Sequence, residues 1–469
     1  ADARRGMTWQ VHTLADRYAD SVRLMSIAQT LRGHDGVAAC EIVMGTPANL
    51  GALAALGVDA EARPGDVVLA IDGETTIAAT LVAEAERLLA GGAGTDTTTT
   101  VARPRTLAGI DGRNVALVSV PGEYAPLEAH RALTRGLHVF LFSDHVSLED
   151  EIALKRRGAE RGLLVMGPEC GTAMLAGIGL GFANVVRPGP VGIVAAAGTG
   201  AQETACLIDG AGVGVSHIIG VGGRDLSPEV GATMTRQAIA MLAADERIET
   251  LLLVAKEPEA VDMLPVPEGV RAVAALVGFE GSIPGWEVHP TLEAGALAAV
   301  GGTVPADDAA IAPRRGRILG LYSGGSLAHE ACAILEPLVG PVATEPEAVA
   351  ADGHAVIDLG TDRYTQGRPH PMVDPTTRIE LLDAAARDGR TGCMLLDVVC
   401  GHGAHPDPAS ELAGPVSRAS AQATVIARVC GTPADPQDAT RQTATLRAAG
   451  AVVATSNAAA ARMAARVVA

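Results

Sequence analysis

Two stretches of this chain have residue types and spacing suited to holding an anion. Val191 to Ala197 is a continuous apolar run, long enough for one strand buried on both faces. Gly198-Thr199-Gly200 breaks the run, and a helix follows from Gln202. The free N–H groups of a first helical turn point outward, and the macrodipole favours negative charge there. Glycine lets an anion come close to the backbone. Ile318 to Tyr322 repeats the pattern: Ser323-Gly324-Gly325-Ser326 is its turn and Leu327 to Leu335 its helix. One such turn is either an ordinary strand–helix connection or an anion cradle. Two in one chain point to a phosphate held between opposed helix N-termini. A further loop, Gly222-Gly223-Arg224-Asp225, offers Arg224 to a phosphate or carboxylate, or else to a salt bridge with Asp225 or Glu229.

A second group of chemistry-bearing residues follows apolar strands in the last part of the chain. Asp358-Leu359-Gly360 comes first, then Gly367 to Asp374 (GRPHPMVD), with His370 and Asp374. Asp397 to Pro408 (DVVCGHGAHPDP) carries His402, His405 and Asp407, and Cys430-Gly431-Thr432 and Ser456-Asn457 complete the set. All would converge on the carboxyl edge of one sheet, where α/β proteins bind ligands. Scaffold loops do not need this density of His, Asp and Gly. His402 and His405 with Asp397 and Asp407 invite a metal. They lie in a Gly/Pro loop without HExxH or a paired-Cys knuckle, so acid–base or acceptor-binding roles suit them better. Cys430 is either a nucleophile or a buried structural thiol. GxSxG, Walker A and a lysine-rich ATP-grasp-like segment are absent. The chain reads as one that handles a phosphorylated intermediate made elsewhere, or whose nucleotide site lies on another subunit.

Helices and strands must alternate throughout to position these residues. Residues 7–93 read as a ferredoxin-like α+β unit, within which Met44 to Asn49 (MGTPAN) reads as a helix cap rather than a ligand loop. Residues 94–113 form a Gly/Thr-rich linker. From Asn114 the strands are continuously apolar, as in parallel sheets covered on both faces. Residues 114–188 read as a Rossmann-like, CoA-binding-like domain and 189–303 as a flavodoxin-like domain with the GTG turn. Residues 304–315 are a second linker, and 316–469 a second flavodoxin-like domain. The expected fold class is therefore α/β: a ferredoxin-like α+β unit followed by three Rossmann- or flavodoxin-like parallel-sheet domains. The core must be aliphatic, because 48% of residues are hydrophobic and only 2% aromatic. A net charge of −18 argues against nucleic acid and anionic membrane as partners. Seven Cys without a CxxC pair point to a reducing, cytoplasmic setting, and no apolar run is long enough to span a bilayer.

Residues 167–203 (GPECGTAMLAGIGLGFANVVRPGPVGIVAAAGTGAQE) and 220–227 (GVGGRDLS) resemble the α subunit of succinyl-CoA synthetase. Residues 322–330 (YSGGSLAHE) resemble the start of the ligase domain in that enzyme's β subunit. DRYADSVRLM, MGTPAN, SVPGEYA, LFSDHVSLEDE, IDLGTDRYTQGRPHPMVDPTTR, LLDVVCGHGAHPDP and VCGTPADPQ together resemble the FdrA family over nearly the whole chain from Trp9. The resemblance implies that Gly198, Thr199 and Gly200, with Ser323, Gly324, Gly325 and Ser326, hold a phosphate. Where the synthetase has a glycine-rich phosphohistidine loop, this chain has Gly281 to Trp286 (GSIPGW), with His289 before a proline. The synthetase's glycine-rich CoA turn is also missing. The sequence thus shows no required cofactor, and CoA rests on the resemblance alone.

The resemblance implies a subunit of a carbamoyl or acyl transferase, using carbamoyl phosphate with oxamate or a similar amide or amine. It would act with partner subunits or as a homo-oligomer. The helix N-termini would bind the leaving phosphate, and His402, His405 or His370, with Asp397, would assist proton transfer. Arg224 or Arg378 would bind a carboxylate or phosphate, and Asp374, Asp407, Cys430, Gly431, Thr432 and Asn457 would line the acceptor site. The alternatives are an acyl-CoA synthetase subunit and a non-catalytic anion-binding scaffold.

Overall fold

The computed structural model describes residues 9–17, 19, 21–34, 36–73, 77–90, 112–306, 311–365 and 368–468. Most of the expected linker 94–113 and the middle of 304–315 lie outside the described residues, as does Gly367. The chain divides into two compact units, Ala1–Arg103 with Asp362–Asp374, and Pro104–Thr361 with Pro375–Ala469.

In the first unit β1 (Trp9–Leu14), α1 (Ser21–Arg32), β2 (Val37–Met44), α2 (Pro47–Ala55), β3 (Val67–Gly73) and α3 (Ala78–Ala90) alternate. β3 lies between β1 and β2 and is antiparallel to both. It can be central because Val67 to Ile71 are apolar at successive positions and buried at every one. Leu24, Ile27, Ala28 and Leu31, at helical spacing on α1, join its core. Thr46 caps α2 by accepting the Asn49 N–H at 3.3 Å, so the MGTPAN stretch is a helix cap.

The second unit contains three sheets. β4 (Val115–Val118), α4 (Ala125–Thr134), β5 (His138–Leu141), α5 (Leu148–Glu160) and β6 (Val165–Met166) build a parallel three-stranded sheet. The next sheet begins with a hairpin of β7 (Thr172–Leu175) and β8 (Ile178–Gly181), followed by β9 (Val191–Ala195), α6 (Gly198–Gly210) and β10 (Val215–Gly220). It continues with α7 (Thr233–Ala243), β11 (Thr250–Lys256), β12 (Arg271–Val277), β13 (Glu287–His289) and α8 (Leu292–Ala299). Its order is β13-β12-β11-β9-β10-β7-β8, parallel except at the hairpin. One apolar core joins these two sheets.

The third sheet is built from β14 (Arg317–Tyr322), α9 (Gly325–Val339), β15 (Val342–Ala343) and β16 (His354–Asp358). The chain then enters the first unit as α10 (Asp362–Thr365) and returns as α11 (Thr376–Asp388), β17 (Thr391–Val399) and α12 (Pro408–Ser420). β18 (Thr424–Cys430), α13 (Ala439–Ala448), β19 (Val452–Ala454) and α14 (Asn457–Val468) complete it. Its strands are all parallel, in the order β15-β16-β14-β17-β18-β19. The fold is α/β, with parallel sheets behind a small antiparallel unit. β9, β14 and β17 are buried at every position: β9 is an unbroken apolar run, while β14 begins with the buried Arg317 and β17 holds the buried Asp397. Among the described residues, no helix is long and apolar enough to cross a membrane.

A charge network pins the first sheet of this unit to the second. Lys155 on α5, fully buried, meets Glu151 at 2.7 Å and Asp225 at 2.9 Å, and donates to the Val221 carbonyl at 2.8 Å. Removing one partner of such a set leaves the others charged and buried. Lys155→Ala is therefore expected to cost about 3–5 kcal/mol. Denaturant unfolding followed through Trp286, which lies in the same core, checks this; an unchanged midpoint would contradict it.

Candidate functional site

Strand order reverses around β9 and around β14, and α6 and α9 start at those two switch points. The two helix starts share a pattern. Gly198-Thr199-Gly200-Ala201-Gln202-Glu203 corresponds to Gly325-Ser326-Leu327-Ala328-His329-Glu330. They also touch: the Ser326 N–H donates to Thr199 Oγ1 at 3.3 Å. A Cβ at Gly324 would stand 2.9 Å from Thr199 Oγ1 and 3.0 Å from its Cβ, so the approach depends on glycine there.

The two starts differ in what already fills them. Val254 pairs with Ala195 in the second sheet, and Leu321 pairs with Leu396 in the third. Asp397, one residue on, thus occupies the place that Val254 has beside the GTG turn. The Asp397 carboxylate accepts the Ser323 N–H at 2.7 Å, the Gly324 N–H at 2.8 Å and the Ser323 hydroxyl at 3.0 Å. Beside α6 the Val254 side chain can accept nothing, although its carbonyl takes the Ala196 N–H at 2.9 Å, and the N-cap, Ala197, has no side-chain cap. At the first positions of both helices, the N–H groups of Gly198, Thr199 and Gly325 meet no acceptor among the described residues. The Asp358 carboxylate lies against Gly325, with its Oδ1 taking the Gly360 N–H at 2.8 Å. Burial pushes the Asp358 carboxyl above its ordinary range.

Several residues expected in the site have other work. Asp397 is fully buried and paired with Arg378 at 2.9 Å, and Arg378 is itself buried. Neither can touch a small molecule; together they fix the turn at Ser323 and Gly324. Arg224 pairs with Glu151 at 2.7 Å and donates to the Val146 carbonyl, rather than meeting Asp225 or Glu229. Asp225 caps α7 by accepting the N–H groups of Met234 and Thr235, so GGRD is structural. His370 and Asp374 belong to the first unit, where Asp374 meets Arg32 at 3.0 Å.

The loop after β17 is held by its neighbours. The His402 backbone bridges to Ala183, and its side chain is exposed. His405 is buried, with Nδ1 accepting the Asp407 N–H at 3.0 Å. Asp407 is held by Gln442, Arg441 and Ser410, which keep its carboxyl low, at about 2, although burial opposes them. Thr432 donates its hydroxyl to the Val185 carbonyl, and Gly431 packs against Cys400. The hydrogen bond with Cys206, then burial, push the Cys430 thiol well above its ordinary range, which suits a structural thiol and not a nucleophile.

Behind the two starts lies a buried carboxylate set. Glu203 pairs with Arg428 at 2.9 Å and accepts the Asn457 N–H at 3.0 Å. Glu330 accepts from the Leu292 N–H at 2.6 Å and the Asn457 side-chain amide at 2.8 Å. Glu293 accepts from Ser456 at 2.7 Å and Arg462 at 2.8 Å. Asn457 is thus a buried bridge between α6 and α9, not a ligand contact. Sequence reasoning passed over Glu203, Glu330, His329 and Lys256. The available signals were the repeated G-[ST]-x-A-[QH]-E and a lone cation ending the apolar run Leu251 to Ala255.

A family model described as CoA-ligase matches residues 321–467, and one described as AllF, heavy metal-associated domain, matches residues 7–104. The chain is 36% identical over 489 residues to the uncharacterized protein YahF of Escherichia coli strain K12, covering 94% of this chain and 95% of that one. The chain belongs to the FdrA, succinyl-CoA synthetase-like family. It is 31% identical over 146 residues to the mitochondrial ADP-forming succinate–CoA ligase subunit alpha-2 of Trichomonas vaginalis, covering 30% of this chain and 46% of that one. It is 26% identical over 216 residues to the ADP-forming sulfoacetate-CoA ligase subunit SauD of Bilophila wadsworthia, covering 44% and 72%.

The first unit does not fit a heavy metal. Its one cysteine, Cys40, is buried in β2, and burial pushes its thiol up to about 12. No group of three His, Cys, Asp or Glu side chains able to hold a metal occurs among the described residues.

Burial pushes the Glu330 carboxyl from 4.5 up to about 7. The folded state thus favours the protonated form. The stability this contributes is complete below 4.5 and is lost as pH rises through about 7. Glu330→Gln keeps the group neutral. Between about pH 5 and about pH 8 the variant should gain stability relative to wild type. Parallel pH slopes for the two unfolding curves would contradict this.

Proposed function

We propose that this chain is the subunit of an acyl-CoA-ligase-type enzyme that holds the phosphoryl group of an acyl phosphate where α6 and α9 meet. The observation that carries this reading is the direct contact of the two helix starts, Ser326 N–H to Thr199 Oγ1 at 3.3 Å, in a chain matching the CoA-ligase model over 321–467. In the leading reading the acceptor is the thiol of CoA. The sulfur attacks the acyl carbon, the bond from that carbon to the phosphate oxygen breaks, and a thioester and inorganic phosphate result. The thiol proton leaves to the phosphate or to water. The N–H groups of Gly198, Thr199 and Gly325 stabilise the charge that builds on the departing phosphate oxygen. Nucleotide chemistry is assigned to a partner chain, because Walker A and ATP-grasp-like segments are absent here and the ligase relatives are named as subunits.

The diphosphate of CoA does not fit the edge of the first parallel sheet. Glu123 and Asp144 are exposed there, and α4 starts on Tyr124 without a glycine-rich turn. CoA therefore enters this reading as a thiol acceptor whose nucleotide end is held elsewhere. A second reading, carbamoyl phosphate with oxamate or a similar amide or amine, is favoured by the AllF match over 7–104. It uses the same phosphoryl site with a different acceptor.

The full chain, alone and with whatever subunits co-purify, should form acyl-CoA from acyl phosphate and CoA with equal phosphate release. Gly324→Val, which forces the helix starts apart, should lower the rate about 100-fold while the chain still unfolds cooperatively. A parallel reaction with carbamoyl phosphate and oxamate ranks the two readings. Phosphate release without either acyl product sinks both and leaves an anion-binding scaffold.

A further inference from the structure

We propose that Lys256 completes the phosphoryl site at the starts of α6 and α9 by binding the phosphoryl oxygens directly, an inference that rests on the function proposed above. Lys256 is the last residue of β11, the neighbour of β9. Val254 pairs with Ala195, and its carbonyl accepts the Ala196 N–H at 2.9 Å. Two residues further along, Lys256 leaves the sheet level with Ala197, the N-cap of α6. It is therefore beside the open N–H groups of Gly198 and Thr199. Lys256 is exposed and forms no hydrogen bond or ion pair among the described residues. Its charge also reaches α9: it acts on Asp358, whose carboxylate lies against Gly325, and on His329 in the helix's first turns.

A second observation points to a ligand at the same place. Ser326 is only 8% exposed, yet its hydroxyl has no protein partner, although its N–H is bonded to Thr199. The residue is enclosed while its hydroxyl oxygen stays accessible and unpartnered, so the hydroxyl is open to a ligand. The Gly325 N–H, one residue earlier, is also without an acceptor. Free donors from both helices and one free ammonium thus surround the point of contact.

The surrounding carboxylates make the cation necessary. Glu257 is exposed and stands 3.7 Å from His329 Nε2, and Asp358 lies against α9. Burial lowers the pKa of His329, with Lys256 adding to the effect, so His329 supplies no positive charge near neutrality. Among the described residues, an anion entering without Lys256 would meet two carboxylates, and Lys256 is the cation whose charge reaches Asp358. With Lys256, it meets an ammonium and the backbone donors together.

Calorimetric titration of the full chain with inorganic phosphate tests this, using wild type, Lys256→Met, Lys256→Arg and Gly324→Val. Lys256→Met should weaken phosphate about 10- to 100-fold, as for loss of one charge-assisted hydrogen bond. Lys256→Arg should bind within about tenfold of wild type, because the charge is kept. Wild-type affinity in Lys256→Met, with binding still lost in Gly324→Val, overturns the role of Lys256 and leaves the proposed site intact. No phosphate binding by wild type, or binding indifferent to Gly324→Val, overturns both. Lys256 is exposed at a strand end, so its variants fold, and their unfolding midpoints confirm it.

Discussion

A glycine backbone resting on a threonine side chain sets the geometry of the second unit. Only with no Cβ at Gly324 can Thr199 come close enough to accept the Ser326 N–H. The cost of that approach is electrostatic. Two helix starts, each carrying about half a positive charge, face the same point and repel. The structure answers with carboxylates. Asp397 and Asp358 stand at the start of α9, and Glu203 and Glu330 lie one to two turns inside the two helices. A phosphoryl group would continue the same neutralisation from outside.

The neutralisation is unequal at the two starts. Third-sheet Asp397 closes two N–H groups and one hydroxyl, and its own charge is held by Arg378. The second sheet has Val254 in that place, which closes only the Ala196 N–H, through its carbonyl. The turn before α9 is therefore a rigid wall tied down by a side chain, while the first N–H groups of both helices, at Gly198, Thr199 and Gly325, meet no acceptor among the described residues. Pre-organised donors of this kind act on charge as it develops, without reorganising. Asn457 reinforces the wall from behind by tying Glu203 on α6 to Glu330 on α9.

Much of the fold was legible because its signals are local. Val191 to Ala195 and Arg317 to Tyr322 are strands for the reason their unbroken burial shows, and the glycine turns after them do start helices. The apposition of the two turns was an inference from their likeness, since no local signal brings Thr199 to Ser326. The roles of Asp397, Arg378 and Arg224 were not legible. Asp397 and Arg224 lie at or near polar strand ends and Arg378 in the first turn of α11, but whether such a side chain faces solvent or a buried counter-charge depends on partners far away in sequence. Asp397 finds Ser323 and Arg378, and Arg224 finds Glu151. His370 and Asp374 show a different limit. The chain leaves the third sheet after β16, joins the first unit from Asp362 to Asp374, and returns. Alternation of helix and strand gives no sign of such an excursion.

Charge on the scale of the whole chain narrows how a ligand would arrive. With a net charge of −18, the long-range field repels anions, so steering by the surface cannot raise their encounter rate. At the proposed site, binding would come from short-range donors: the N–H groups of Gly198, Thr199 and Gly325, the hydroxyl of Ser326 and the ammonium of Lys256. Such contacts act within a few ångströms and are little affected by the distant field. A site that attracts only at contact is well matched to an intermediate handed over by a neighbouring subunit and poorly matched to a dilute anion collected from solution. The same field and the same donors thus favour a chain that works inside an assembly.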